Sequence, residues 1–103
     1  MRTVALTITP AATAPSNLTA STGSVNRIDL KWTDNSNNES GFRIERCQGA
    51  TCTNYTLLVT VNPNTTTYRN SGLPAGTTYR YRVRANTSVG YSVYSNVANG
   101  RTK

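Results

Sequence analysis

Arg80, Arg82 and Arg84 recur at alternate positions and form the densest set of chemically capable side chains in this chain. Guanidinium forks of this kind suit sulfate, phosphate and carboxylate, whose oxygens they meet in two parallel hydrogen bonds. Cys47 and Cys52 are the second candidate. They enclose only Gln48, Gly49, Ala50 and Thr51, a spacing that a hairpin tip can bridge when its flanking strands pair. A zinc site would need two further ligands, and no other cysteine and no histidine exists to supply them. The pair is read as a disulfide, with two free thiols as the alternative, and a disulfide implies an oxidising compartment. So short a ring contributes about 2 kcal/mol at most from loop entropy.

Catalysis has little to work with. Histidine is absent, and the carboxylates are Asp29, Asp34, Glu39 and Glu45 alone. The chain is read as non-catalytic and without a cofactor. The loop from Asp34 to Glu39 offers oxygen donors suited to calcium, yet lacks the spaced acidic residues and bidentate ligand of a dedicated site. Asn, Asp and Ser also make turns through their own side-chain bonds, so no metal ligands are assigned there.

Eleven Lys and Arg against four Asp and Glu give a formal net charge of +7, which attracts any polyanion. With no recognition helix, aromatic sheet code or zinc module, a specific nucleic-acid role is not expected. Of the six tyrosines, Tyr68, Tyr79 and Tyr81 are assigned inward by alternation, which leaves Tyr55, Tyr91 and Tyr94 for any exposed sugar-stacking platform.

Strands must position these groups. The 103 residues support one domain with one core. From Asn17 onward, short alternating or β-branched runs recur between turn clusters, and no helical window exists. Strands are expected over 17–21, 27–33, 41–47, 55–61, 65–70, 77–87 and 91–97, the number in a small sandwich. Alternation sets Ile28, Leu30 and Trp32 on one face of the second strand. In the sixth, Tyr79, Tyr81, Val83 and Ala85 oppose the three arginines. The fourth is ambiguous, because Leu57, Leu58, Val59 and Val61 alternate cleanly only if a bulge intervenes.

No stretch reaches the roughly 20 apolar residues of a membrane span, and residues 1–10 lack the continuous apolar core of a signal peptide. Residues 1–14 run from an alternating segment into a small-residue and proline spacer. They are read as the tail of a preceding domain with its linker, or as an extra edge strand, with the domain proper over 15–103.

Residues 15–20, Ile28 to Trp32, Gly41 to Arg46, Leu73 to Ala85 and Gly90 to Asn96 together resemble a fibronectin type III domain, and the likeness covers 15–102. It departs from the family at Asn70, where an apolar residue is more usual, and in the pair Cys47 and Cys52. The wording of residues 33–42 is similar to bacterial members. The resemblance implies an all-β, seven-stranded antiparallel sandwich of immunoglobulin-like form, its core on Trp32, Phe42, Ile44, Leu73, Tyr79 and Val83. Leu73 would cap a corner at which the Tyr79 hydroxyl bonds back to upstream backbone.

For function, the resemblance implies a secreted or cell-surface module that spaces, orients or anchors neighbouring domains of the same chain, as in bacterial polysaccharide-degrading enzymes. The alternative is direct binding of a polysaccharide, a cell-envelope polyanion or a protein through Arg43, Arg80, Arg82 and Arg84, with Tyr91 or Tyr94 nearby. The plainer possibility is a solvated face on which Glu45 offsets part of the repulsion and arginine stems cover the tyrosines.

Overall fold

The structure, a computed structural model, describes residues 12–103. The reading of residues 1–11 as a tail and linker lies outside the described residues. Ala12 already packs against the core, and the Ala14 carbonyl accepts a hydrogen bond of 3.0 Å from the Asn35 amide.

Eight strands form: β1 (Ser16–Ser24), β2 (Arg27–Thr33), β3 (Gly41–Gln48), β4 (Thr56–Val61), β5 (Thr67–Asn70), β6 (Thr78–Thr87), β7 (Gly90–Tyr91) and β8 (Ala98–Arg101). They make two antiparallel sheets, β1-β2-β5 and β4-β3-β6, and β7 and β8 both pair along the remaining edge of β6. The architecture is the expected all-β sandwich.

Side chains that alternate along a strand fall on opposite faces, and here one face of each sheet is apolar. Ile28, Leu30 and Trp32 of β2 meet Phe42 and Ile44 of β3 and Tyr81, Val83 and Ala85 of β6, all 2% exposed or less. Trp32 stands edge-on to Phe42 with ring centroids 5.7 Å apart. The larger aliphatic and Phe side chains among them contribute roughly 1.5–3 kcal/mol each on burial. Leu73 and Tyr79 close one end of the core.

The ambiguity in β4 resolves as a bulge. Ile44 pairs with Val59 but Glu45 pairs with Leu57, so Leu58 is the extra residue, and Leu58, Val59 and Val61 all reach the core while Leu57 stays exposed.

A continuous last strand over 91–97 is not what forms. β7 ends at Tyr91 and β8 begins at Ala98, because two serines between them take over the pairing. The Ser92 N–H donates to the Ala85 carbonyl (2.9 Å), and the Ser92 hydroxyl oxygen accepts from the Ala85 N–H (2.9 Å). Ser95 does the same with Val83 at 2.7 and 3.0 Å. A three-residue step from Ser92 to Ser95 thus answers a two-residue step on β6. The extra residue turns Tyr94, and not Val93, to the same side as Tyr91.

β1 seals the sandwich against this irregular edge. Asn96 accepts from the Leu18 N–H (2.9 Å) and donates to the Leu18 carbonyl (3.0 Å), so one side-chain amide stands in for a backbone partner. Further along, the Lys103 N–H donates to the Ser24 carbonyl at 3.2 Å. Gly100 fits the same closure, since a Cβ there would lie 2.8 Å from Ile28 Cγ2 and 3.0 Å from Ala20 Cβ. Replacing Asn96 with alanine strips both Leu18 backbone groups of their partner and is expected to cost about 1–2 kcal/mol in urea unfolding. A change within error would mean that water satisfies Leu18 equally well.

Candidate functional site

The outer face of β3 and β6 carries most of the expected site. Antiparallel register sets Arg43 opposite Arg84, Glu45 opposite Arg82 and Cys47 opposite Arg80. Glu45 points away from the core yet is only 4% exposed, because long side chains close over it. Its Oε2 accepts from Arg43 Nε (2.9 Å) and from the Tyr94 hydroxyl (2.9 Å), and its Oε1 from Arg82 Nε at 2.9 Å. Arg84 approaches no closer than 3.8 Å. Burial pushes the Glu45 carboxyl up, but the hydrogen bonds from Arg43, Arg82 and Tyr94 and the Arg82 charge outweigh it. The group lies below the ordinary glutamate range. Burial and the carboxylate together hold the Tyr94 hydroxyl above the usual tyrosine range.

Above the carboxylate, rings and guanidiniums alternate. The Arg82 guanidinium lies 4.1 Å from the Tyr55 ring centroid and 3.8 Å from that of Tyr94. Arg84 lies 3.9 Å from Tyr91 and 4.6 Å from Tyr94, and Arg43 lies 5.7 Å from Tyr91. Cation–ring contacts of this kind contribute roughly 0.5–2 kcal/mol each, more as water is excluded. Tyr55 and Tyr94 thus pack against arginines, and Tyr91, although stacked with Arg84, stays 51% exposed, which leaves one open ring and not a platform of three.

Three of the four expected arginines come together here, and the fourth is drawn aside. Arg80 donates to the Cys52 carbonyl at 2.7 Å, on the loop that leads from β3 to β4. Cys47 and Cys52 are disulfide-bonded across that loop, with Cα atoms 6.0 Å apart. Removing the bond by Cys47→Ala with Cys52→Ala is expected to cost at most about 2 kcal/mol and to leave the fold intact. Loss of the strand signal in circular dichroism would show that the loop carries more than its own ring.

At the corner before β6, Leu73 and Tyr79 are buried. Among the described residues the Tyr79 hydroxyl has no hydrogen-bond partner, and its ring is instead covered by Arg46 at 4.8 Å. The Tyr81 hydroxyl, fully inside, accepts from Asn70 Nδ2 at 2.7 Å. The corner backbone is held from the other end of the chain. The Thr102 hydroxyl donates to the Pro74 carbonyl (2.7 Å) and accepts from the Thr77 N–H (2.9 Å). Sequence reasoning marked Asn70 only as a departure from the family, without its bond to Tyr81, and missed Thr102, Ser92, Ser95 and Asn96 as determinants.

The loop between β2 and β3 spends its oxygens internally. Asp34 accepts from the Ser36 N–H at 3.0 Å, and Glu39 accepts from the Ser36 hydroxyl (2.9 Å) and the Asn64 N–H (3.1 Å). Burial and then the neighbouring Glu39 raise the Asp34 carboxyl. Glu39 is pushed up by burial, but bonds from its own N–H, Asp34 and Ser36 bring it below its usual range. Among the described residues, no three His, Cys, Asp or Glu side chains are placed to hold a metal ion. No helix of the described residues is long and apolar enough to cross a membrane.

Two facing antiparallel sheets with this strand order define an immunoglobulin-like β-sandwich module. The family model of the fibronectin type III domain matches residues 13–101, and the chain belongs to that family. Among solved structures, a Fn3-like protein from Clostridium thermocellum is 26% identical with a TM-score of 0.74, and the match covers 90% of this chain and 95% of that one. Titin kinase with its flanking domains (23% identity, TM-score 0.78) is matched over 92% of this chain but 18% of its own. A β-1,2-glucanase from Parabacteroides distasonis (22%, 0.73) is matched over 89% of this chain and 13% of its own. No curated protein matches the sequence. Domains of this family thus occur beside other domains in one chain.

Proposed function

We propose that this domain is a non-catalytic spacer that sets the separation and orientation of neighbouring domains in a secreted bacterial protein, such as a polysaccharide-degrading enzyme. The observation that carries this reading is the placement of the chain's entry and exit. Ser16 starts β1 beside Thr33, whereas Lys103 bonds to Ser24 at the far end of the same strand. Nine residues of strand separate them, roughly 30 Å at the usual rise. Asn96 and the Lys103 bond tie both ends of β1 to the opposite sheet, which makes the distance a stiff one.

The disulfide supports an oxidising compartment. The likeness to the Clostridium thermocellum protein supports a bacterial setting, and the glucanase shows that such a fold can sit within a polysaccharide-active chain. Spin labels on cysteines introduced at Ser16 and Lys103 test the spacer. A single narrow distance distribution, unchanged when folded domains are fused at both ends, is expected. A broad distribution, or one that collapses in the fusion, would remove the reading.

A further inference from the structure

The arginine and tyrosine stack is not electrically balanced. Arg43, Arg82 and Arg84 gather around Glu45, so three guanidiniums share one carboxylate while their side chains stay only 21–28% exposed. Repulsion between like charges is less screened in such a setting than in water. Arg82 commits its Nε and Nη2 to Glu45 and packs against two rings, with its Nη1 outside those bonds. Arg84 is less engaged. Its nearest Glu45 oxygen is beyond hydrogen-bond range, and its Nε is enclosed without a hydrogen-bond partner among the described residues. Arg43, directly across the strand pair, commits only its Nε. Tyr91 and Tyr94 hold Arg84 in place, so much of the entropy cost of ordering a long cation has already been met within the fold.

The geometry also narrows the ligand. Single-stranded nucleic acid needs a row of free aromatic faces on which bases stack, and here Tyr55 and Tyr94 pack against guanidiniums, so the half-exposed Tyr91 offers a single ring. A neutral glycan needs a similar open platform. What remains available is the in-plane edge of the guanidiniums, which suits carboxylate and sulfate oxygens. Arg82 and Arg84 also repeat along β6 at roughly 7 Å, the two-residue step of a strand, so a linear polymer lying along β6 meets them in turn. We propose that the adjacent pair Arg43 and Arg84, continued by the edge of Arg82, binds the acidic groups of a linear anionic polysaccharide. Glu45 acts as the internal counter-ion that keeps the arginines ordered when no ligand is bound. This binding goes beyond the spacer role and does not depend on it.

Titration calorimetry of the whole chain against polygalacturonate and heparin, at low and at physiological salt, tests the proposal. Dextran, a thymidine 20-mer and polyglutamate serve as comparators. Binding to one or both acidic glycans, weakening as salt rises, is expected. Arg84→Gln and Arg43→Gln should each lower the affinity roughly tenfold, the worth of one charge-assisted contact. Arg69→Gln, the same charge change on β5 of the other sheet, where that side chain is 69% exposed and only 3.8 Å from Asp29, should stay within about twofold of the parent. Thermal unfolding of each variant confirms the fold, and if Arg84→Gln does not fold, Arg43→Gln carries the comparison. Absence of binding to both glycans would overturn the proposal. So would an equal loss in Arg69→Gln, which would reduce the effect to bulk charge. Tighter binding of the oligonucleotide or polyglutamate would overturn the choice of ligand.

Discussion

Glu45→Gln is expected to destabilise the domain by about 2–3 kcal/mol at neutral pH, toward the lower end of what breaking a buried ion pair costs. The substitution keeps the shape and one acceptor oxygen but removes the charge around which Arg43, Arg82 and Tyr94 are arranged. The loss stays below that of a fully enclosed pair because the arginines retain some contact with water. The pH dependence follows from the direction of the carboxyl's displacement. Its folded value lies below the unfolded one, so between the two the folded chain binds fewer protons, and stability rises with pH there. The contribution is fully present above the ordinary glutamate value and is lost as pH falls through the folded value. Protonated Glu45 resembles glutamine. The stability gap between parent and Glu45→Gln should therefore shrink as urea unfolding is repeated from pH 7 down to pH 3. A gap that does not change with pH would mean that the variant fails through packing and that the ion pairs contribute nothing net.

The burial of Glu45 marks where strand alternation stops being informative. Alternation shows which side of the sheet a residue takes, and in β3 Phe42 and Ile44 point inward while Arg43 and Glu45 take the other side. It does not show whether the outer side is wet. That depends on how long the neighbouring side chains are and whether they find each other across strands, and here arginines and tyrosines from β6 and the 92–95 segment fold over the carboxylate. β2 and β6 were legible because each has one uniformly apolar face. The last strand was not, because its pairing runs through the hydroxyls of Ser92 and Ser95, which substitute for backbone groups without leaving any periodic trace. The same holds for Asn96, whose amide replaces a stretch of ladder against Leu18. The disulfide was the preferred reading of the spacing and of the missing zinc ligands, with free thiols as the alternative, but its link to Arg80 required the register that sets Cys47 opposite that arginine.

Asn70 is the departure from the family pattern with the largest energetic consequence. It sits at the end of β5 paired with Ile28, 4% exposed, and its amide donates to the hydroxyl of Tyr81, a side chain with no exposed surface. Burial raises the Tyr81 hydroxyl above the ordinary tyrosine range, and the Asn70 bond opposes that shift only in part. Asn70→Leu would place an apolar residue where relatives commonly have one, yet it should not stabilise this chain. It leaves a buried hydroxyl without its partner, which costs about 1–3 kcal/mol, and adds bulk beside the ring. A net loss of about 3 kcal/mol is expected from the two effects together. Tyr81→Phe alone leaves the Asn70 amide unpaired and should cost about 2 kcal/mol. The double variant removes both polar groups, so its loss should be smaller than the sum of the singles by about 1–2 kcal/mol. Strict additivity in the urea-derived stabilities would show that the 2.7 Å contact carries no coupling. A more stable Asn70→Leu would show that the family's apolar preference at this position outweighs the local hydrogen bond.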